Sequence, residues 1–417
     1  MPDLNALIAA TAQMPYRSAQ PLEAPVFDAI CRRVMLDYYK WDPQVGDINA
    51  LANFPLVVRA DAWRSLATDA EALAAEFLAA EGELLEHSGL QAYLGVPRAV
   101  RRTLARTSPP SKAPRVMRFD FHWTAEGWRV SEANSDVPGG YTEAGSFTAL
   151  VAAHYPEAAM AGHPGHAWVD ALAEAAGGCG AVALLCAPGF MEDLQVVMYL
   201  GELLRDRGLR PLPVTPEQIL WQDGVAHVVS AHHRGSLALI LRFYQAEWLA
   251  TLPRRAAWQN FFAGARTPVA NAGSAILTEC KRLPLVWDKL RTPMPVARRL
   301  FPETRDPREA PWRTDEGWIV KSAFCNTGDT VAAPGLLAPE KWKKIERDVW
   351  WRPGHWLAQR RFRVLPLETP LGEVYPCLGV YTVNGCAAGI YARVSTKPVV
   401  DFQAVDTAAL VEREEPA

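Results

Sequence analysis

The chain has 417 residues, of which 49% are hydrophobic and 21% are charged, so it is globular in composition and long enough for two or three domains. Its net charge of −3 argues against binding nucleic acid through bulk electrostatics. The sequence has no signal-peptide pattern, no apolar stretch long enough to span a membrane and no disulfide spacing among its seven cysteines, which predicts a reduced, cytoplasmic protein without a membrane partner.

The first region, residues 1–115, is predicted to be mostly helical. Ala60–Ser88 has apolar residues at helical spacing and many helix-forming residues. A proline-rich connector over residues 106–115 follows. We expect this region to be structural and to pack on the remainder of the chain.

A β-hairpin is predicted next. Apolar and polar residues alternate over 116–123, which indicates a half-buried strand, and a second strand is predicted from Trp128 to Asn134. A three-residue loop would place Gly127 where the backbone needs positive φ. In that register Thr124 pairs with Trp128. A shift by one residue would turn the side chains of the second strand to the opposite face.

The predicted register brings polar side chains of both strands together. Asp120 faces Glu132, and Arg118 faces Asn134. Facing carboxylates repel unless a cation lies between them, and carboxylate and amide oxygens suit Mg²⁺. Arg118 could bind phosphate oxygens beside that ion. The alternative is a surface hairpin whose polar face contacts only water.

The alternation of strand and helix patterns up to about residue 265 predicts an α/β layer with a partly parallel sheet. A buried strand over Ala181–Cys186 is followed by a break and by a helix over Glu192–Arg207. Glu192 would then lie beyond the carboxyl end of a strand, where open α/β sheets bind ligands. The alternative is that this carboxylate compensates the helix dipole.

The last third of the chain is predicted to contain one helix and several strands. The helix covers Ala275–Lys289 and is kinked by Pro284. The strands include Gly317–Ala323 and Trp356–Phe362. Residues 408–417 are predicted to form a frayed acidic tail.

Polar residues in these late elements suggest an anion site. Lys321 lies among apolar strand residues, so its ammonium must reach solvent or meet an anion. Lys281 and Gln359 are weak signals alone, and for each of the three the alternative is a solvated surface position. Together with a glycine-bearing loop over residues 324–329 and the hairpin oxygens, they are the parts that a magnesium nucleotide needs.

The order of several short segments carries a family resemblance. These segments are RFDF (118–121), SEANSD (131–136), Glu192-Asp193, RFYQAEW (242–248), Lys281, IVKSAF (319–324), AQRRF (358–362) and GIYAR (389–393). In this order the chain resembles the glutathionylspermidine synthase family, a set of ATP-grasp ligases. The segments with the candidate metal-binding carboxylates, RFDF and SEANSD, precede Lys281 and Lys321. This order is similar to the circular permutation of that family.

The resemblance implies an α/β (α+β) architecture, with an ATP-grasp fold in circularly permuted order. Residues 1–115 would form the helical N-terminal region, 116–265 the metal-binding hairpin and an α/β substrate-side domain, and 266–417 the nucleotide-binding part. Within the last part, about 290–355 would form a lid.

The resemblance also implies roles for individual residues. Asp120, Glu132 and Asn134 would bind Mg²⁺, and Arg118 and Arg393 would be catalytic, contacting the reacting groups. Glu192 and Glu247 would lie on the substrate side. The residues that would bind ATP are Lys281, Lys321, Thr327, Gly328, Gln359 and Phe362.

The implied function is an ATP- and Mg²⁺-dependent ligase that joins a small-molecule or peptide carboxylate to an amine through an acyl phosphate. The chain departs from the family at Val137, where a serine is expected, at Val394-Ser395, where an acidic pair is expected, and in the lid loop. Glutathione and polyamine recognition are therefore open. Two alternatives remain, a nucleotide-binding protein without catalysis and a metal-dependent hydrolase.

Overall fold

The computed structural model of the protein describes residues 13–42, 44–45, 48–106, 113–230, 233–324, 332, 337–398 and 403–414. The strands are β1 (Tyr16–Ser18), β2 (Gln44–Val45), β3 (Ile48–Asn49), β4 (Leu56–Val58), β5 (Val116–Thr124), β6 (Gly127–Asn134), β7 (Ala158–Met160), β8 (Ala181–Cys186), β9 (Arg210–Val214), β10 (Ile219–Gln222), β11 (Val225–Val229), β12 (Arg234–Ser236), β13 (Leu239–Phe243), β14 (Val269–Ala270), β15 (Thr304–Arg305), β16 (Trp318–Ser322), β17 (Trp356–Arg360), β18 (Leu367–Thr369), β19 (Gly372–Val383), β20 (Cys386–Ser395), β21 (Val405–Thr407) and β22 (Ala409–Glu412).

The α-helices in the same ranges are α1 (Ala24–Asp37), α2 (Ala60–Glu86), α3 (Ser88–Tyr93), α4 (Arg98–Leu104), α5 (Thr148–Ala152), α6 (Pro164–Ala175), α7 (Met191–Asp206), α8 (Ala246–Leu249), α9 (Ile276–Glu279), α10 (Pro295–Leu300) and α11 (Pro339–Trp351). None of the helices within these ranges combines the length and the apolar character that crossing a bilayer requires.

The predicted hairpin forms part of a six-stranded sheet. Its order is β21-β20-β19-β5-β6, and β18 pairs with β19. The long helix α2 packs on its apolar face, where the ring of Phe77 lies 5.4 Å from that of Phe119. The predicted helix over Ala60–Ser88 is thus confirmed, with its end at Glu86. The polar face of β5 is also buried, whereas a half-buried strand was expected. On that face Arg118 donates to the carbonyl of Gly139, and the ring of His122 lies 5.5 Å from that of Phe362.

A four-stranded parallel sheet, ordered β14-β13-β8-β9, forms the α/β layer. The predicted strand Ala181–Cys186 is β8, and the helix that follows it is α7. A separate three-stranded sheet, ordered β15-β17-β16, has its own core around Trp318 and Trp356. The architecture is therefore mixed α/β with several sheets, as predicted.

A buried polar cluster connects the hairpin to the parallel sheet. Asp136, which follows β6, pairs with Arg242 of β13, and both side chains are almost fully buried. Asp136 also accepts a hydrogen bond from the backbone of Ala246 at 2.8 Å. The Asn271 amide, just after β14, donates to the carbonyls of Val116 and Asp136. The start and the end of the hairpin are thus fixed to the strand ends of the parallel sheet.

Two predictions about the last third are wrong. The helix expected over 275–289 is interrupted: α9 ends at Glu279, and a 3-10 turn covers Leu283–Lys289. The interruption allows the Lys281 backbone to donate to Ala323 at 3.0 Å. The expected frayed tail includes β22, which lies between β4 and β7 and is largely buried because it completes their sheet.

Arg242→Met should lower the free energy of unfolding by about 3–5 kcal/mol, because it leaves Asp136 buried without its counter-charge. The measurement is urea unfolding at equilibrium. The matched control is Arg33→Met, which removes a partner from the exposed Arg33–Asp37 pair at 3.6 Å and should cost less than about 1 kcal/mol. Equal losses in the two variants would contradict the importance of the buried pair.

Candidate active site

The turn of the hairpin differs from the prediction, and a bulge compensates for the difference. Thr124 pairs with Gly127 instead of Trp128, although Gly127 has the predicted positive φ, at 91°. A bulge between Asp120 and Phe121 then shifts the register. The pairs Asp120–Glu132 and Arg118–Asn134 are restored as predicted. The extra residue needed for this shift lies in the second strand, at the position of Ser131.

Asp120 is the centre of a buried ionic network. Arg118 binds both of its carboxylate oxygens, with Nε at 2.7 Å and Nη2 at 3.0 Å. Arg393 Nη2 and Asn134 Nδ2 reach Oδ2 at 3.4 and 3.3 Å. Burial alone would raise the pKa of Asp120, but Arg118 and then Arg393 outweigh burial and lower it. The carboxylate is therefore ionised, as a metal ligand must be.

Glu132 meets both late lysines. Lys281 Nζ lies 3.3 Å from Glu132 Oε2, and Lys321 Nζ donates to the carbonyl of Ser131 at 3.1 Å. Burial lowers the pKa of Lys321 to about 8, because the attraction of Glu132 only partly offsets desolvation and Lys281 adds repulsion. Two ammonium groups more than 140 residues beyond the hairpin in the sequence thus converge on it.

A cleft that is partly open to solvent adjoins these groups. One part of its wall is charged and includes Glu132, Lys281 and Lys321. Another part is apolar and is formed mainly by Phe77, Leu283, Trp287 and Phe301. Gln359 also lines the cleft, and within the described ranges its Oε1 is a buried acceptor without a hydrogen-bond donor. A ligand with phosphates and a flat ring that carries an N–H donor would match both parts.

The two arginines share one aromatic support. The guanidinium carbon atoms of Arg118 and Arg393 lie 5.0 and 5.5 Å from the centre of the Tyr391 ring. The Tyr391 hydroxyl donates to Asp406 at 2.5 Å, and Asp406 in turn lies 3.4 Å from Lys40. The tyrosine therefore fixes the position of both guanidinium groups relative to Asp120.

The other predicted site residues are placed less centrally. Glu192 is exposed at the start of α7, and Phe362 lies against His122, with ring centroids 5.5 Å apart. Thr327 and Gly328 lie outside the described residues. Burial, and after it the charge of Asp136, raises the pKa of Glu247 to about 7, and the charge of Lys281 opposes that shift.

Glu279 is a residue that sequence reasoning missed. It lines the cleft, and its carboxylate accepts from the backbone of Ser135 at 2.7 Å and of Asp136 at 3.0 Å. Burial raises its pKa to about 8. Its only signal in the sequence is an acidic residue two positions before Lys281, which is too common a pattern to be informative.

Comparisons with known proteins identify a family and a similar fold. The family model described as glutathionylspermidine synthase preATP-grasp matches residues 40–411. Among solved structures, a glutathione synthetase-like effector from Globodera pallida in its apo form is similar, with a TM-score of 0.60, 10% identity, and coverage of 97% of this chain and 95% of that one. A putative gamma-glutamylcysteine synthetase from Methylobacillus flagellatus KT matches with a TM-score of 0.41, 13% identity, and coverage of 77% and 84%. Curated protein sequences gave no significant match.

Asp120→Ala should destabilise the protein by about 3–5 kcal/mol, because it leaves the buried Arg118 guanidinium without its carboxylate and also removes the partner of the partly exposed Arg393. Glu132→Ala should lower the free energy of unfolding by about 2 kcal/mol or less. The Glu132 side chain is 19% exposed, so water reaches its ion pair with Lys281, in which the two charged atoms are 3.3 Å apart. Equilibrium unfolding of both variants measures the difference. A smaller loss for Asp120→Ala would contradict the network.

Proposed function

Because this chain belongs to the glutathionylspermidine synthase preATP-grasp family, we propose that it is a ligase that uses ATP and Mg²⁺ to join a carboxylate to an amine. The observation that carries the proposal is the convergence of Lys281 and Lys321 on the polar face of the hairpin, beside a cleft. We further propose that the nucleotide-binding part has the circularly permuted ATP-grasp order, since the hairpin precedes both lysines.

The donor set fits Mg²⁺. Asp120, Glu132 and Asn134 offer hard oxygen ligands on one face of the ribbon. The Asp120 carboxylate accepts hydrogen bonds from the Arg118 guanidinium but keeps further lone pairs that could bind a cation. Among the residues that the structure describes, no three His, Cys, Asp or Glu side chains form a metal cluster. The ion would thus depend on nucleotide phosphates for its remaining ligands, as Mg²⁺ commonly does. When bound, it would offset phosphate charge and polarise the γ-phosphorus.

The residues of the cleft would bind the nucleotide. The ammonium groups of Lys281 and Lys321 would hold phosphate oxygens, exchanging their present contacts with Glu132 and Ser131 for the ligand. The aromatic part of the wall would contact the base, and Gln359 Oε1 would accept from its amino group. A lid of about residues 290–355, which carries Lys321, would exclude water from the reacting groups.

The proposed reaction has two steps. A carboxylate oxygen of the acid attacks the γ-phosphorus, the bond to the bridging oxygen breaks, and ADP leaves. The amine nitrogen then attacks the acyl carbon, phosphate leaves, and the nitrogen loses a proton to give the amide. Arg118 and Arg393 would stabilise charge on the migrating phosphoryl group, and the catalytic contribution would come mainly from positioning and electrostatics. We also propose a cytoplasmic location, where ATP is available.

Asp120→Asn and Glu132→Gln should each abolish Mg²⁺-dependent ADP release while keeping side-chain size. In the assay, the wild-type protein is first supplied with pairs of acids and amines, including glutathione and spermidine. The variants are then tested on each pair that supports turnover. Asp28→Asn, on the exposed face of α1, is the control and should retain wild-type turnover. ATP binding without ADP release from any pair would favour a non-catalytic nucleotide-binding protein, and metal-dependent turnover without ATP would favour a hydrolase.

Lys321→Met should weaken ATP binding at least tenfold, or about 1.4 kcal/mol, because it removes a buried positive charge from the proposed phosphate site. Isothermal titration calorimetry with a non-hydrolysable ATP analogue measures the affinity. Lys344→Met, on the exposed surface of α11, should leave it unchanged. Unchanged affinity in the Lys321 variant would count against the assignment.

A further inference from the structure

The helix α11 packs one face on the three-stranded sheet and leaves the other face in solvent. Trp342, Ile345 and Val349 lie on its inner face and join the core around Trp318 and Trp356. At 3.6 residues per turn, five exposed residues share the outer face, and they are Lys343, Lys344, Arg347, Trp350 and Trp351. The outer face of α11 therefore presents basic and aromatic side chains to solvent.

Two tryptophan side chains protrude at the carboxyl end of this face. Trp350 is 59% exposed and Trp351 is 69% exposed. Their rings pack edge-on against each other, with centroids 4.6 Å apart. An indole is a large and mainly apolar ring, so two adjacent indoles that are mostly in water indicate a surface that another molecule covers.

The cations of the outer face are not neutralised by the protein. No ion pair in the described part of the chain includes any of the three, which are Lys343, Lys344 and Arg347. Two carboxylates of the same helix have other partners: Glu346 lies 3.1 Å from Arg313, and Asp348 accepts from Trp356 Nε1 at 2.8 Å. The outer face itself has only Glu340, at the amino end of α11. A local positive charge therefore surrounds the tryptophans, although the net charge of the chain is −3.

The chemistry of this face fits an anionic bilayer better than a protein surface. Tryptophan is enriched where lipid headgroups meet acyl chains, and lysine and arginine attract anionic headgroups. Lysine is depleted in protein–protein interfaces, whereas two of the three cations here are lysines. Protruding indoles would also need matching pockets on a protein partner, but they can enter the headgroup layer of a bilayer without any.

We propose that the outer face of α11 binds the surface of a membrane that contains anionic phospholipids. Trp350 and Trp351 would enter the headgroup region, and the three cations would contact lipid phosphates. Binding at the surface requires no spanning segment, so this proposal revises the expectation, made from the lack of such a segment, that the protein has no membrane partner. The cytoplasmic leaflet carries anionic lipids, which matches the location proposed above. The proposal does not rest on the ligase function.

Co-sedimentation with sucrose-loaded vesicles tests this surface on the full chain. Vesicles of phosphatidylcholine with about 30% phosphatidylglycerol should bind the protein at least tenfold more tightly than vesicles of phosphatidylcholine alone. Raising the salt concentration to about 0.5 M should weaken this binding at least fivefold, because salt screens the attraction. Lipids with brominated acyl chains should quench part of the tryptophan fluorescence, which reports contact between indoles and the bilayer.

Two variants separate the contribution of charge from that of the indoles. Lys343→Gln/Lys344→Gln/Arg347→Gln should weaken binding to the anionic vesicles at least tenfold. Trp350→Ser/Trp351→Ser should weaken it at least fivefold and should remove the quenching by brominated lipids. Lys343→Arg/Lys344→Arg keeps the charge and should bind as the wild type does.

Matched controls change the same kinds of side chain elsewhere on the surface. Arg98→Gln/Arg102→Gln/Arg106→Gln removes three exposed cations on and just after α4. Leu36→Ser/Leu220→Ser removes two apolar side chains that are 72% and 56% exposed. Both controls should bind the vesicles within twofold of the wild type, and urea unfolding midpoints show that every variant is folded.

Several results would overturn the proposal. They are equal binding to the two kinds of vesicle, wild-type binding by both α11 variants, and losses in the controls as large as those in the α11 variants. Binding of soluble poly-L-glutamate without binding of vesicles would overturn it in favour of an acidic protein partner. A dimer that dissociates in the tryptophan variant, without binding of vesicles, would overturn it in favour of a second copy of this chain. Because the assay measures binding alone, its outcome is independent of whether the protein releases ADP.

Discussion

The ion pair between Asp136 and Arg242 is the contact on which the arrangement of the site depends. The pair is fully buried, so the free energy lost when both charges leave water must be offset. Several hydrogen bonds to backbone groups on neighbouring elements offset it. Asn271 adds bonds to both ends of the hairpin. These contacts therefore connect the polar face of the ribbon to the strand ends of the parallel sheet.

Much of the hairpin could be predicted from the sequence, because its information is local. The alternation of residues specifies the faces, and Gly127 marks the turn. The bulge near Ser131 could not be predicted, since it depends on how β5 fits against β19 and how β6 turns toward Asp136. The cross-strand pairs of Asp120 and Arg118 were correct although the turn was wrong, because the bulge offsets the shorter loop.

The later elements show where local pattern is insufficient. The break between α9 and the 3-10 turn has no glycine, and Pro284 lies after it, so a kinked helix was the natural interpretation. The break is stabilised by a backbone bond from Lys281 to Ala323, a contact that only the tertiary structure provides. Similarly, β22 has few residues and an acidic neighbourhood, and its burial depends on partners from residues 56–58 and 158–160. The roles of the site residues in binding and catalysis remain predictions for the same reason, since no local pattern encodes a ligand.

The position of β22 has a consequence for how the protein is made. This strand lies inside its sheet, parallel to β4 and antiparallel to β7, and the preceding strand supplies Asp406 to Tyr391 beneath the two arginines. The ribosome synthesises the chain from the amino end. β4 and β7 therefore lack β22, the strand that pairs with both, while most of the polypeptide is synthesised. The sheet can close, and the tyrosine can be fixed, only after residue 412 has left the exit tunnel. Nascent chains stalled before that point would expose an open strand edge and would be targets for chaperones.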